Sequence, residues 1–255
     1  MSARYYWEEG NGFDSATAIL AGDEAHHLIR VMRAKPGDEF LLFDGKGFEY
    51  RARATEIGRG SVRLQVVETR EICNDPEIEL SAAVALPKGD RQKWLIEKLT
   101  ELGVRRFIPL EVERADIKTD DGVLARLRRQ VVEASKQCGR SRFMEILPPM
   151  PRREAAAACR KESDCEPLCM LAHPISDGEF GQWSFRDFLS RGFQDGRWTM
   201  AKHLFLAVGP VGGFSDREVR EAVDDGWPIL DLGKEVYRVE TAAITAAALF
   251  LHLGD

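Results

Sequence analysis

The chain has 255 residues, 44% of them hydrophobic, and a formal net charge of -6. That length and apolar content can bury a sizeable core in one large domain or two modest ones, which excludes a disordered or fibrous chain. The negative balance excludes a protein that coats nucleic acid indiscriminately, and the longest apolar runs, such as Ala242 to Leu253, are too short to span a bilayer.

The opening MSARYYWEEG lacks the basic-then-apolar order of a secretory signal, so the expectation is a cytoplasmic protein with no membrane partner. Asp23 is placed to cap a helix through about Arg33, in which Ala25, Leu28, Ile29 and Met32 form the buried stripe and His26, Arg30 and Arg33 share another face. KPGD ends that helix. EFLLFD, the turn DGKG and the run from Phe48 to Thr55 then read as strands, with Phe48, Tyr50, Ala52 and Ala54 alternating against Glu49, Arg51, Arg53 and Thr55. Val62, Leu64 and Val66 continue the alternation. The expectation is a small antiparallel sheet or barrel, apolar within and arginine-bearing outside.

CNDPE, Cys73 to Glu77, reads as a linker, which divides the chain into domains 1–73 and 74–255. Beyond it, apolar strands alternate with amphipathic helices in the manner of a parallel α/β sheet. IELSAAVAL precedes a helix from Asp90 to Leu102, expected to bury Trp94, Leu95 and Leu99 and to stop at Gly103. VRRFIPL, a helix from about Val123 to Cys138, MEIL, a helix near Arg152 to Lys161 and PLCMLAH follow. The stretch from Pro174 to Ala201 is the least regular and reads as an excursion. Ser215 and Glu218 form a capping box for a helix through about Asp225. PILDLG is a short buried strand, KEVYRVE a loop, and TAAITAAALFLHL a closing helix apolar almost all round, to be buried within the domain or against a second subunit.

Five cysteines, Cys73, Cys138, Cys159, Cys165 and Cys169, read as reduced thiols. Cys165, Cys169 and His173 fall four residues apart, but no CxxC pair accompanies them, so buried small hydrophobes are favoured and no metal is expected. Local charge departs from the net value. His26 to Arg63 carries eight Lys/Arg against five Asp/Glu, and Ala85 to Arg140 thirteen against nine. On charge alone a solvated mixed-charge face is favoured over an RNA-binding surface.

FLAVGPVGGFS, residues 205 to 215, runs a strand into a glycine turn without the lysine of a phosphate loop, and its glycines do not make GxGxxG. Such a turn offers backbone amides and no cation. That suits a ligand with a nucleobase, a carboxylate and a sulfonium, beside which a fixed lysine is unfavourable; an ordinary strand-to-helix turn is the competing reading. A second loop, Gly233 to Glu240, is expected on a neighbouring strand at the same sheet edge.

GPVGGFSDREV followed by LGKEVYRVETAAITA resembles the paired signature GPEGG(F/L)S and LGxx(I/V)LRTETA of the RsmE family of bacterial small-subunit rRNA uracil-N3 methyltransferases. HHLIRVMRAKPGD and FDGKGFEYRA are similar to that family's N-terminal PUA-like RNA-binding domain. ALPKGDRQKWLIEKLTELGVRRFIPLEVER and EASKQCGRS are similar to its middle signature, so the resemblance covers nearly the whole chain. It implies a PUA-like β-barrel followed by a SPOUT-type trefoil-knotted α/β domain that uses S-adenosyl-L-methionine, acts on 16S rRNA of the small ribosomal subunit and forms a homodimer through the knot domain.

Carried over position by position, the resemblance implies cofactor contacts at Leu171, His173 and Pro174, at Gly209, Pro210, Gly212 and Gly213, and at Leu232, Gly233, Val236 and Tyr237. Three positions depart from it: Val211 replaces the usual glutamate, Tyr237 a leucine and Val239 a threonine. Methylation of uracil N3 needs the N3 proton removed while charge spreads to O2 and O4. Arg238 is the candidate electrophilic donor or phosphate clamp, with a structural salt bridge to Glu240 as the alternative. No residue stands out as the base, and solvent can take the proton. Arg4, His26, Arg30, Arg33, Arg51, Arg53, Lys88, Arg91, Arg114 and Arg140 are the candidates for RNA capture, with Tyr5 or Tyr6 to stack on a base. Two other readings stay open: an RNA-binding assembly protein whose knot domain has lost methyl transfer, and a ribose 2'-O-methyltransferase.

Overall fold

The computed structural model describes residues 4–8, 16–72, 74–115, 117–161, 166–174, 183–184, 188 and 202–252. Cys73, Cys165 and most of the irregular stretch from 174 to 201 lie outside them. The chain forms two compact units, 1–75 with 132–143 and 76–131 with 144–255.

The first unit holds strands β1 (Arg4–Tyr6), β2 (Thr17–Ala21), β3 (Glu39–Phe43), β4 (Phe48–Ile57) and β5 (Ser61–Glu71) in the order β1-β3-β4-β5-β2. β1 runs parallel to β3, and the other pairings are antiparallel. Alternation places Ala52, Ala54, Val62 and Leu64 in the core and Arg51, Arg53 and Arg63 outside. Register slips at Val67 and Thr55 leave each as an unpaired extra residue of a bulge. Phe48, expected inside, starts β4 beside the turn and is exposed, because the core covers only the middle of the strand.

The first helix differs from expectation. α1 (Gly22–His26) has Ala21 at its N-cap without a side-chain cap, and it continues as a π-helical turn, His27–Val31. The wider turn changes the face presented to the core: Ala25 and Leu28 are buried, Ile29 is half-buried, and Met32 is exposed. His26, Arg30 and Arg33 are exposed as expected.

In the second unit β6 (Glu79–Val84), β7 (Arg106–Glu111), β8 (Glu145–Ile146), β9 (Met150–Pro151), β10 (Leu168–Ala172), β11 (Trp183–Ser184), β12 (His203–Val208) and β13 (Ile229–Asp231) form one parallel sheet. Its order is β11-β13-β10-β12-β6-β7-β8, with β9 alongside β7. β12 is buried along its whole length, as a central parallel strand covered on both faces must be. β13 pairs with β10 rather than with β12, so the two loops expected on neighbouring strands flank a third strand instead.

Helices α2 (Arg91–Leu102), α3 (Asp121–Cys138), α4 (Arg152–Lys161), α5 (Asp216–Asp224) and α6 (Val239–Leu251) alternate with these strands, and residues 132–138 at the end of α3 belong to the first unit. α2 ends at Gly103, whose φ is +93° and where an added Cβ would meet Pro76 Cγ at 2.7 Å. Trp94 is not buried. The inward stripe is Gln92, Leu95, Ile96, Leu99 and Thr100, with Gln92 donating to the Pro87 carbonyl at 2.8 Å, and Trp94 falls off that stripe at 44% exposure. α6 starts at Val239 with Arg238 as its N-cap, two residues before the expected start, so the second loop is shorter than the sequence suggests.

Candidate active site

Three loops leave the carboxyl ends of adjacent strands: 173–174 after β10, 209–215 after β12 and 232–238 after β13. Open parallel sheets bind ligands at this edge. The loops line an open cleft of about 80 Å3. Of the residues the sequence singled out, His173, Pro174, Gly209, Pro210, Gly213, Leu232, Val236 and Tyr237 line it. Leu171 faces the core with no exposure, while Gly212 and Gly233 shape the loops without lining the cleft. Sequence reasoning missed Phe214, Asp231, Glu235 and Ala242. The first three sit inside or beside the glycine motifs, and Ala242 enters because α6 begins early.

The glycine loop is built by close contacts. Gly213 N-H donates to the Pro210 carbonyl at 2.8 Å and takes φ +68°. An added Cβ on Gly209 would lie 2.9 Å from the Phe214 ring, so this position is closed to larger residues by packing. Ser215 caps α5: its N-H donates to Glu218 Oε2 at 2.7 Å, and Glu218 N-H donates to Ser215 Oγ at 3.3 Å, the expected capping box.

Across the cleft, Gly233 N-H donates to Asp231 Oδ1 at 3.2 Å. His173 donates its backbone N-H to Leu230, and its ring sits against Gly213. Burial pushes the His173 imidazole below the usual histidine range, the Arg114 charge adds to this, and Asp216 opposes it. Val211, Val236 and Tyr237 stand exposed at the rim.

Arg238 is exposed at the N-cap of α6 and carries no ion pair among the described residues. Glu240 instead pairs with Arg91, Nη1 to Oε1 3.8 Å. The alternative of an Arg238–Glu240 bridge is therefore not what the chain forms.

Several RNA candidates take other positions. Arg4 is almost buried, paired with Glu49, bonded to Ser141 Oγ at 2.7 Å and stacked over Phe43 at 4.6 Å, so it cannot face a polyanion. Arg140 is held by Asp75 at 3.2 Å with its side chain 9% exposed, and it too faces inward. Tyr5 is buried against Phe40 and Tyr6 packs on Phe43 and Phe143, so Tyr5 cannot stack on a base. Arg51 and Arg53 do lie on the sheet exterior, each in an ion pair, with Glu68 and Glu39. Arg30 and Arg33 are exposed with no ion pair among the described residues, and Lys88 is exposed beside half-buried Arg91. Arg114 is exposed but its guanidinium bonds the carbonyl of Gly212 at 2.9 Å.

Cys169 is partly buried, donates to the Pro167 carbonyl at 3.5 Å, and burial pushes its thiol up to about 12, which opposes the thiolate a metal needs. Among the described residues no three His, Cys, Asp or Glu side chains converge, and no helix is long and apolar enough to cross a membrane.

Known proteins share this arrangement. An RNA methyltransferase domain family matches residues 74–251, and an RNA methyltransferase PUA domain family matches 20–67. The ribosomal RNA small subunit methyltransferase E of Synechocystis sp. is 30% identical, covering 91% of this chain and 72% of its own. That of Bacillus subtilis is 26% identical, covering 91% and 89%. A Legionella pneumophila structure with its cofactor SAM bound superposes with a TM-score of 0.79 at 26% identity, covering 98% of this chain and 97% of its own. The Neisseria gonorrhoeae ribosomal RNA small subunit methyltransferase E bound to S-adenosyl methionine gives 0.76 at 25% identity, covering 97% and 96%. A parallel α/β unit carrying this cleft, joined to a PUA-type unit across matches of this extent, makes the chain a member of the ribosomal RNA small subunit methyltransferase E family.

Proposed function

We propose that this chain transfers a methyl group from S-adenosyl-L-methionine to N3 of a uridine in the 16S rRNA of the small ribosomal subunit. The observation that carries the reading is the cleft: three loops supply its walls, and among the described residues its charged lining is Asp231 and Glu235, with no lysine or arginine. A sulfonium is favoured there and a triphosphate is not. The Legionella and Neisseria relatives hold this cofactor.

S-adenosylmethionine supplies an electrophilic methyl on sulfur. The chain's residues do the rest. Main chain of the turn Gly209 to Phe214 and the side chains of Leu232 and Val236 on the opposite loop would hold the cofactor, and the open rim would admit a base. Arg238 stands beside that opening and donates to O2 or O4 as negative charge gathers there. The N3 proton leaves to solvent. His26, Arg30, Arg33 and Lys88 draw in the RNA, while Arg51, Arg53 and Arg91 contribute less because each already has a carboxylate partner.

The knotted path and the homodimer belong to the same proposal. Supporting a knot, the chain leaves β13 on one side of β10 and returns as α6 to pack on β6 and α2, on the far side of β12. Supporting a dimer, α2 and α6 expose Trp94 and Leu249. A cytoplasmic location follows from the ribosomal substrate.

The test incubates purified protein with labelled methyl donor and undermethylated small subunits, then identifies the modified nucleoside by mass spectrometry. N3-methyluridine is expected; label on C5, on a ribose or nowhere overturns the assignment.

A further inference from the structure

From the way its guanidinium is held, we infer that Arg114 is a positioning residue for the cofactor loop rather than a contact for RNA. Its Nη1 donates to two carbonyls of that loop, Gly212 at 2.9 Å and Phe214 at 3.4 Å. Both carbonyls are thereby pointed at Arg114, which fixes the orientation of the 212–213 and 214–215 peptide planes and leaves the 213–214 peptide held between them. Gly213 sits between, at φ +68°, with the His173 ring on its other side, 3.6 Å from where a Cβ would stand.

The preceding residue repeats the attachment. Glu113 N-H donates to Glu218 Oε1 at 3.0 Å, and the other oxygen of Glu218 accepts from Ser215 N-H at 2.7 Å. Glu113 also pairs with Arg217. Two successive residues after β7 thus hold both ends of the turn: Arg114 its glycines, Glu113 its capping box. A loop with no cation of its own and a conformation that favours glycine at one position needs such outside support to present its amides in one arrangement.

Arg114 is exposed and lies in a basic stretch, which is why the sequence suggests an RNA contact. A guanidinium whose Nη1 donates to two carbonyls has fewer donors left for phosphate, and lysine, one bond shorter and without the planar group that fixes this nitrogen, does not reproduce the placement.

This inference rests on the cofactor reading, so the experiment separates the two. Wild type, Arg114→Lys and Arg114→Ala are titrated with S-adenosylmethionine by calorimetry and with small-subunit RNA by filter binding at several salt concentrations. Hydrogen exchange follows the amides of 212–215, and melting verifies folding. Expected is a loss of cofactor affinity of about tenfold in both variants, faster exchange in 212–215, a raised KM for cofactor with kcat at saturation kept, and RNA affinity within about twofold. Unchanged cofactor affinity and exchange, with weaker RNA binding and a salt slope reduced by about 1, overturns the inference and makes Arg114 a phosphate contact. A wild type without cofactor affinity overturns the cofactor reading itself, and with it this one.

Discussion

Glu240 Oε1 lies 3.8 Å from Arg91 Nη1, and the Glu240 side chain is 4% exposed. The carboxylate nearest in sequence to Arg238 is thus committed to the first residue of α2, which leaves the N-cap arginine of α6 without a counter-charge among the described residues. An uncompensated guanidinium beside a cleft whose lining is acidic is available for charge that develops on a substrate. Replacing Arg238 by alanine is therefore expected to lower the single-turnover methylation rate by about 100-fold, the scale of losing one preorganised donor, with cofactor affinity and melting temperature little changed. A fall in stability with the rate intact would return Arg238 to a structural role.

The two glycines of the loop fail for different reasons when substituted. At Gly209 an added methyl meets the Phe214 ring at 2.9 Å and its backbone N at 3.2 Å, so Gly209→Ala is an overpacking change, expected to cost about 1–3 kcal/mol in urea unfolding and to weaken cofactor binding. At Gly213 the space is adequate but φ is +68°, and alanine there is expected to cost about 1 kcal/mol. Gly226, at φ +78° with nothing within 4 Å, is the control: it should lose stability like Gly213 and keep full cofactor affinity.

Stability near neutral pH should depend on two histidines. Burial lowers the pKa of His173, with Arg114 adding to the effect, and burial lowers that of His203, with Arg106 adding to it. Their folded values lie below the roughly 6.5 of an unfolded chain, so below that pH the unfolded state binds more protons. The stabilisation is complete above about pH 6.5 and is lost as pH falls from there toward the folded values. Urea midpoints at pH 7.5 and 5.5 test this: wild type should drop, and His173→Gln should drop less. An equal drop in that variant counts against His173.

Much of this architecture was legible because it is written in local patterns. The capping box at Ser215 and Glu218, the stop at Gly103 and the alternation around Ala52 and Val62 depend on neighbours within a few residues, and each appears where the pattern puts it. What the pattern cannot carry is long-range order. That β13 pairs with β10 rather than β12 depends on a chain crossing, and no local signal encodes it. The inward turn of Arg4 depends on Glu49 and Ser141, 45 and 137 residues away, so in sequence it is one more exposed arginine. Trp94 was misread for a related reason: a large apolar residue draws the eye, while the core-facing position is taken by Gln92. In the site, the glycine motifs and the His173–Pro174 stretch mark most of the cleft, whereas Asp231 and Glu235 are placed there only by the meeting of the loops.

Val211 is 65% exposed at the rim, where the family signature has glutamate. Restoring the carboxylate by Val211→Glu removes an exposed apolar side chain and adds a third negative charge to the cleft lining. Stability is expected to stay within about 0.5 kcal/mol, and cofactor affinity to rise a few-fold at low salt, less at high salt. Calorimetry at two ionic strengths measures it. A large gain in turnover without a gain in affinity would instead mean that the valine impairs the chemical step, in favour of a protein whose main task is binding RNA.

Trp94 and Leu249 leave large apolar surfaces exposed on α2 and α6, at 44% and 38%. In an isolated protomer, replacing either by glutamate removes apolar area from water and gives up the contacts of the covered half of the side chain, so the cost to folding should be about 1 kcal/mol. In a dimer formed through these helices the same change puts a carboxylate into a desolvated interface, where its burial without a partner is costly. Sedimentation velocity should therefore find wild type near twice 28.7 kDa and Trp94→Glu shifted toward the monomer, with near-unchanged circular dichroism. If the wild type sediments as a monomer, or Trp94→Glu remains a dimer, these helices are not the subunit contact and the exposed tryptophan needs another explanation.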